Sequence, residues 1–210
     1  MRKIKKRSPP QAIVAFRNDT ETSFDDFPYK DSVRAALTEE QGHLCCYCLK
    51  RIEANAVSMR IEHFEPQSVA PERRYDWGNL LGSCRGGQGG ARVHQTCDTR
   101  KADKRMTVDP QGENVLRVRF SGEGVVHSSD PEIQRDLYET LNLNNLMLVA
   151  VRKQRLRATL DELAKQHRGS WTRATLVRVL GKWRPEVVTG RLPEYCEMVA
   201  QELERRLARA

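Results

Sequence analysis

Five of the six cysteines, Cys45, Cys46, Cys48, Cys84 and Cys97, crowd into about a quarter of the chain, and Cys196 stands apart. Cys45 and Cys48 form a C-x-x-C pair, the spacing that lets two thiolates share one tetrahedral zinc. Cys84 and Cys97 supply a second half-site, although His94-x-x-Cys97 offers a competing pair. Cys84 is preferred over His94 as the fourth ligand because closed structural sites so often use four thiolates. Zinc bound this way contributes folding energy to a small irregular unit. Cys46 reads as a buried bystander and Cys196 as a lone thiol. A disulfide framework would spread its cysteines more evenly, and a redox C-x-x-C would sit in a βαβ pattern that this sequence lacks. Between the half-sites lies Arg60-Ile61-Glu62-His63-Phe64-Glu65-Pro66, then Asn79-Leu80-Leu81, then Cys97-Asp98-Thr99-Arg100-Lys101. A carboxylate beside a histidine means little alone; its place between two thiolate pairs gives it weight.

The elements that must position these residues are legible in outline. The 210 residues suffice for one buried core, 39% hydrophobic with 30% charged residues does not read as a disordered chain, and no apolar run approaches the roughly 20 residues a membrane span needs. The 36 Lys and Arg against 28 Asp and Glu leave +8, a balance that suits nucleic acid and also suits a plain solvated surface. MRKIKKRSPP runs into prolines rather than an apolar stretch, so it does not read as a secretory signal; a reduced, cytoplasmic setting is expected. Residues 1–30 read as an extended basic arm able to lie along phosphates. Asp31 to Leu44 predicts a helix capped by Asp31 or Ser32, leading straight into a cysteine knuckle. Val57 to Phe64 predicts a strand, 65–78 a polar loop, Asn79–Cys84 an apolar turn, and the glycine-rich 85–91 a flexible insertion. A short helix follows Asp98, and Val115–Phe120 with Val125–His127 predicts a hairpin. Beyond Pro131 the chain reads as helical, with stripes at Leu146, Val149, Leu156, Leu160 and Leu163, and at Tyr195, Val199, Leu203 and Leu207.

Taken together, the thiolate pairs, Glu62-His63, Asn79 and Asp98 resemble the signature of the HNH endonucleases. More narrowly, Met1 to Ile4, the run Glu40 to Cys48, Ile61-Glu62-His63-Phe64-Glu65-Pro66-Gln67-Ser68, and Leu141-Asn142-Leu143-Asn144 with Arg152 are similar to the PtuB-type nucleases of retron and Septu anti-phage systems. The resemblance implies an α+β chain: a basic arm (1–30), a zinc-stapled ββα-metal core (31–130), and a helical region (131–210). It also implies a metal-dependent hydrolase of DNA phosphodiester bonds, with structural Zn²⁺ on Cys45, Cys48, Cys84 and Cys97 and catalytic Mg²⁺ or Mn²⁺ on Glu62 and Asp98.

In that reading His63 is the general base, suited to it by an unperturbed pKa of ~6.5. Asn79 orients the loop holding His63, and Arg100, Lys101 and Lys104 hold neighbouring phosphates. The implied partners are DNA and an ABC-type ATPase, in some systems with a reverse transcriptase and its RNA–DNA product, and no membrane. The striped helices after Pro131 would be the docking surface. A zinc-stapled nucleic-acid-binding or adaptor module without catalysis explains the thiolates and the charge, but not the ordered set of Glu62, His63, Asn79 and Asp98.

Overall fold

Two short segments flanking the polar loop pair with each other and carry the chemistry-bearing residues between them. The computed structural model describes residues 1–167, 171–185 and 188–209, and among these the chain is mixed α+β with two small antiparallel sheets. Strand β1 (Met59–His63) pairs with β2 (Leu80–Cys84), Met59 opposite Cys84 and His63 opposite Leu80. The apolar turn expected at Asn79–Cys84 is therefore a strand. All five residues of β2 are buried, so the alternation that marks a half-exposed strand is missing from its sequence. Gly82 lies at its centre, where a Cβ would come within 3.1 Å of Ile52 and Met59.

The glycine-rich segment after β2 is a structured return rather than a loose insertion. Thr96 donates its N–H to the Gly86 carbonyl at 2.8 Å. Gly86 has φ +50°, and a Cβ there would lie 2.0 Å from the Thr96 carbonyl oxygen, so only glycine fits. This close approach brings the chain back to Cys84 and opens the short helix Cys97–Lys101.

The first 30 residues are not an extended arm. Met1, Ile4, Ile13, Phe24 and Phe27 are buried in the common core, and Gln11–Phe16 forms a helical turn and a half after Pro10. Lys6 sits 3.9 Å above the Trp77 ring, ion-pairs with Glu40 at 2.7 Å and donates to the Leu80 carbonyl at 2.9 Å. These contacts occupy a residue expected to lie along phosphates. The helix Lys30–Glu40 follows; it starts one residue earlier than expected, and neither Asp31 nor Ser32 caps it. Val33 and Leu37, four apart, bury its inner face.

The expected hairpin shrinks to two-residue strands, β3 (Arg119–Phe120) and β4 (Val126–His127), because Glu113–Arg117 coils into a 3₁₀ turn. The helical region contains Pro131–Arg135, capped by Asp130, then a π-turn Asp136–Thr140, and the helices Leu146–Gln166, Arg173–Trp183 and Cys196–Leu207. The π-turn lets the Asp136 carboxylate accept the backbone N–H groups of Thr107 and Val108 at 2.6 and 2.9 Å.

The two stripes serve the chain itself. Tyr195, Val199 and Leu203 are buried; so are Leu156 and Leu163, with Leu160 packed against the same core. A docking surface on the Leu156–Leu163 stripe is thus corrected: that face is already covered. Leu146 alone of that stripe is fully outside, 85% exposed. No helix among the described residues is long and apolar enough to cross a membrane.

Burial separates two leucines on one helix. Leu156→Ala should lower unfolding free energy by about 2–5 kcal/mol, as large-to-small core substitutions do, whereas Leu146→Ala should change it by less than about 0.5 kcal/mol. Urea denaturation followed by circular dichroism measures both.

Candidate metal centre and adjoining cleft

The knuckle after the helix Lys30–Glu40 turns on itself through backbone bonds: Cys45 N–H to the Lys50 carbonyl at 2.9 Å and Leu49 N–H to the Cys45 carbonyl at 3.1 Å. Leu49 takes φ +66° to close it. The Gln41 side chain locks this knuckle to β2, its amide donating to the Leu44 and Gly82 carbonyls at 2.8 Å each and accepting from Gly82 N–H at 2.7 Å. Gln41 carries no motif signal, and its bridging role was not readable from sequence.

Cys45, Cys48, Cys84 and Cys97 then converge, all buried, with their sulfurs within 4.8 Å of one another. Cys45 and Cys97 lie 3.9 Å apart, and Cys48 and Cys84 3.7 Å. A tetrahedron with metal–sulfur bonds of about 2.3 Å has edges of about 3.8 Å, so the four sulfurs have the size and donor chemistry for zinc. Burial opposes ionisation of Cys45, but hydrogen bonds from neighbouring thiols outweigh it and hold Cys45 well below the ordinary thiol range. The same hydrogen bonding and burial push Cys84 and Cys97 well above it. His94 is exposed on a 3₁₀ turn and stands outside the group. Cys46 is buried and donates its backbone N–H to Gly82 rather than joining the cluster.

A buried cation lies close by. Arg152 has no exposed surface; it donates to the Leu148 carbonyl at 3.2 Å and to the Leu143 carbonyl, leaving one guanidinium nitrogen without an acceptor. Burial lowers its pKa, and the charges of Cys48, Tyr195 and Cys97 act against that. A zinc held by four thiolates carries a net charge of −2, which a buried guanidinium would partly offset.

On the far end of β1 the side chains of Glu62, His63 and Asp98 line one cleft of about 480 Å³. The His63 Nε2–H donates to the Arg74 carbonyl at 3.0 Å, and the Phe24 ring meets the imidazole edge-on at 4.5 Å between centroids. Burial lowers the His63 pKa to about 4, with the Lys101 charge adding to the effect. The imidazole is neutral, and its Nδ1 keeps a lone pair. Asn79 fixes the backbone just beyond: its side chain accepts from Glu65 N–H at 2.7 Å and donates to the Glu65 and Arg73 carbonyls at 3.0 and 3.2 Å.

Glu62 is wholly buried. Its Oε1 accepts from the Tyr47 hydroxyl at 2.7 Å and pairs with the Lys101 ammonium at 2.7 Å. Lys101 also donates to the His63 carbonyl at 3.0 Å and is 1% exposed. Its expected contact with a neighbouring phosphate is therefore corrected: the ammonium is consumed inside the site, below the strand end. Burial and the facing Asp98 carboxylate push the Glu62 carboxyl well above its ordinary range. Asp98 Oδ2 is buried and ion-pairs with the Arg60 Nε at 2.9 Å. Two facing carboxylates, Glu62 and Asp98, present the hard oxygen donors that a divalent cation takes.

Arg100 and Lys104 do not line this cleft. Arg100 donates instead to the Arg92 and Glu139 carbonyls at 2.9 and 3.4 Å, and Lys104 points into solvent. Sequence reasoning missed Tyr47, Arg60 and Phe24. Tyr47 lay inside the C-C-Y-C run, where a buried hydroxyl was a signal; Phe24 had none, being remote in sequence.

Comparison with known proteins yields one partial likeness. The chain is 33% identical over 67 residues to the Septu protein PtuB of Bacillus thuringiensis, covering 32% of this chain and 26% of that protein. The aligned part is thus about a quarter of the relative's length. No family model matches the chain.

Two measurements follow from the buried charges and sulfurs. Lys101→Met should cost about 3–5 kcal/mol of stability by stranding Glu62, and adding Glu62→Gln should recover part of that loss in a double-mutant cycle. Purified protein should release zinc to a colorimetric chelator under denaturing conditions, and Cys84→Ser should lower both the zinc content and the thermal midpoint.

Proposed function

We propose that this chain is a metal-dependent endonuclease of the HNH type that hydrolyses DNA phosphodiester bonds. Its setting would be the cytoplasm, as the effector of an anti-phage defence system working with an ABC-type ATPase, in some systems alongside a reverse transcriptase and its RNA–DNA product. The observation that carries the reading is the cleft itself. A neutral imidazole and a facing carboxylate pair line one space, on a hairpin whose other end meets four thiols. The likeness to the Septu protein PtuB supports the defence setting.

The residues divide the work. His63, tethered through Nε2–H to the Arg74 carbonyl, takes the proton of the attacking water at Nδ1. Asn79 holds the following loop, so the imidazole keeps its direction. Glu62 and Asp98 would hold Mg²⁺ or Mn²⁺, which supplies Lewis-acid stabilisation of charge developing on the phosphate. Tyr47 and Lys101 fix the Glu62 carboxylate and keep it from rotating away. Zinc on Cys45, Cys48, Cys84 and Cys97 would keep β2 and the Cys97–Lys101 helix in register.

One observation favours the second reading, a zinc-stapled adaptor without catalysis: Glu62 already has Lys101 and Tyr47, and Asp98 has Arg60. A plasmid-nicking assay with Mg²⁺ or Mn²⁺ decides between them. Wild type should nick, and His63→Ala should lose about 10²–10⁴-fold in rate with zinc content and circular dichroism unchanged. Asp98→Ala should be comparably impaired, and Asn79→Ala intermediate. Equal nicking by wild type and His63→Ala would remove the assigned base. Silence of every variant, with the ATPase present, would favour the adaptor.

A further inference from the structure

The cleft that holds His63 is walled by four cations from three parts of the chain. Lys30 and Arg34 stand four apart on one helix, Arg60 lies on β1, and Arg85 follows β2. Each makes a contact within the chain that leaves part of its bonding capacity unused. Arg34 uses Nη1 on an Asp31 carboxylate that is itself 89% exposed, at 2.6 Å. Lys30 donates through Nζ to the Asp25 carbonyl, which leaves its ammonium further N–H groups at the cleft edge. Arg85 donates only through Nη1, to the Ala56 carbonyl at 2.9 Å, and is exposed. The Arg60 side chain is 43% exposed above Asp98.

Asp25, Glu62, Asp98 and Asp103 also line the space. Glu62 is matched by Lys101, and Asp98 lies beside it as the proposed metal ligand. With a divalent ion on that pair, the four wall cations would face only Asp25 and Asp103 as the remaining carboxylates of the lining.

We propose that Lys30, Arg34, Arg60 and Arg85 form the phosphate-binding track of this cleft, gripping the sugar-phosphate backbone of duplex DNA on either side of His63. This rests on the nuclease reading and replaces Arg100, Lys101 and Lys104 as the backbone contacts. Such contacts position the duplex without reading its sequence, and each releases counterions on binding, so the salt dependence of affinity counts them.

The test is a fluorescence-anisotropy titration of an end-labelled DNA duplex across a sodium chloride series, using zinc-loaded full-length protein carrying His63→Ala so that the duplex stays intact. The slope of log affinity against log salt should flatten by about 0.9 for each contact removed. Arg34→Gln with Arg85→Gln should therefore flatten it by about 2 and weaken binding at least tenfold at moderate salt. Arg100→Gln with Lys104→Gln should leave the slope where it was. Arg85→Gln alone, at an exposed side chain that folding does not need, should flatten it by about 1. An unchanged slope for the Arg34/Arg85 pair, or equal flattening by both pairs, would overturn the track while leaving a DNA-binding protein. No binding by the parent at low salt would overturn the DNA reading together with the track.

Discussion

Everything at the chemical end of this molecule hangs on the meeting of four sulfurs. They come from a knuckle, the last residue of a strand and the first residue of a short helix, and convergence fixes all three at once. Cys84 ends the strand whose first residue, Leu80, pairs with His63. The imidazole therefore stands one strand length, about 13 Å, from the thiol cluster. Cys97 opens the helix that presents Asp98 and, one turn on, Lys101. Loss of the junction would release the carboxylate, its counter-ion and the strand end together. The contact of Gly86 with Thr96 matters for the same reason, since it returns the chain to deliver Cys97.

Buried charge is the second constraint. A lysine and a glutamate with almost no exposed surface, a tyrosine hydroxyl between strand and knuckle, and a buried aspartate facing the glutamate make an expensive interior. Replacing such a group with packed apolar residues often stabilises a protein. Fold stability therefore does not account for the arrangement, whereas holding carboxylates in fixed positions does.

The remainder of the chain frames this centre. The opening segment closes one side, with Phe24 against the imidazole and Lys6 clamped between Trp77 and Glu40. The terminal helix seals another: Gln201 bonds Phe120 N–H at 2.9 Å and the Val118 carbonyl at 3.0 Å, and Tyr195 N–H reaches the Leu49 carbonyl of the knuckle at 3.1 Å.

Local spacing determined the C-x-x-C knuckle, the strand carrying Glu62 and His63, and the helices beyond Pro131, because pair spacing and hydrophobic period are properties of neighbouring residues. It also brought forward Cys84 and Cys97, since few other side chains could complete a thiolate site. It misjudged the basic opening residues, whose apolar members Met1, Ile4 and Phe24 found a core contributed by distant segments. It misjudged β2, where burial on both faces erased the alternation, and the glycine-rich return, where close backbone approach looks the same as looseness in one dimension. Lys101 and Arg60 carry the same charge in sequence, and only tertiary structure separated them. One is enclosed against Glu62 and the other opens onto the cleft, and enclosure depends on what the rest of the chain packs around a side chain.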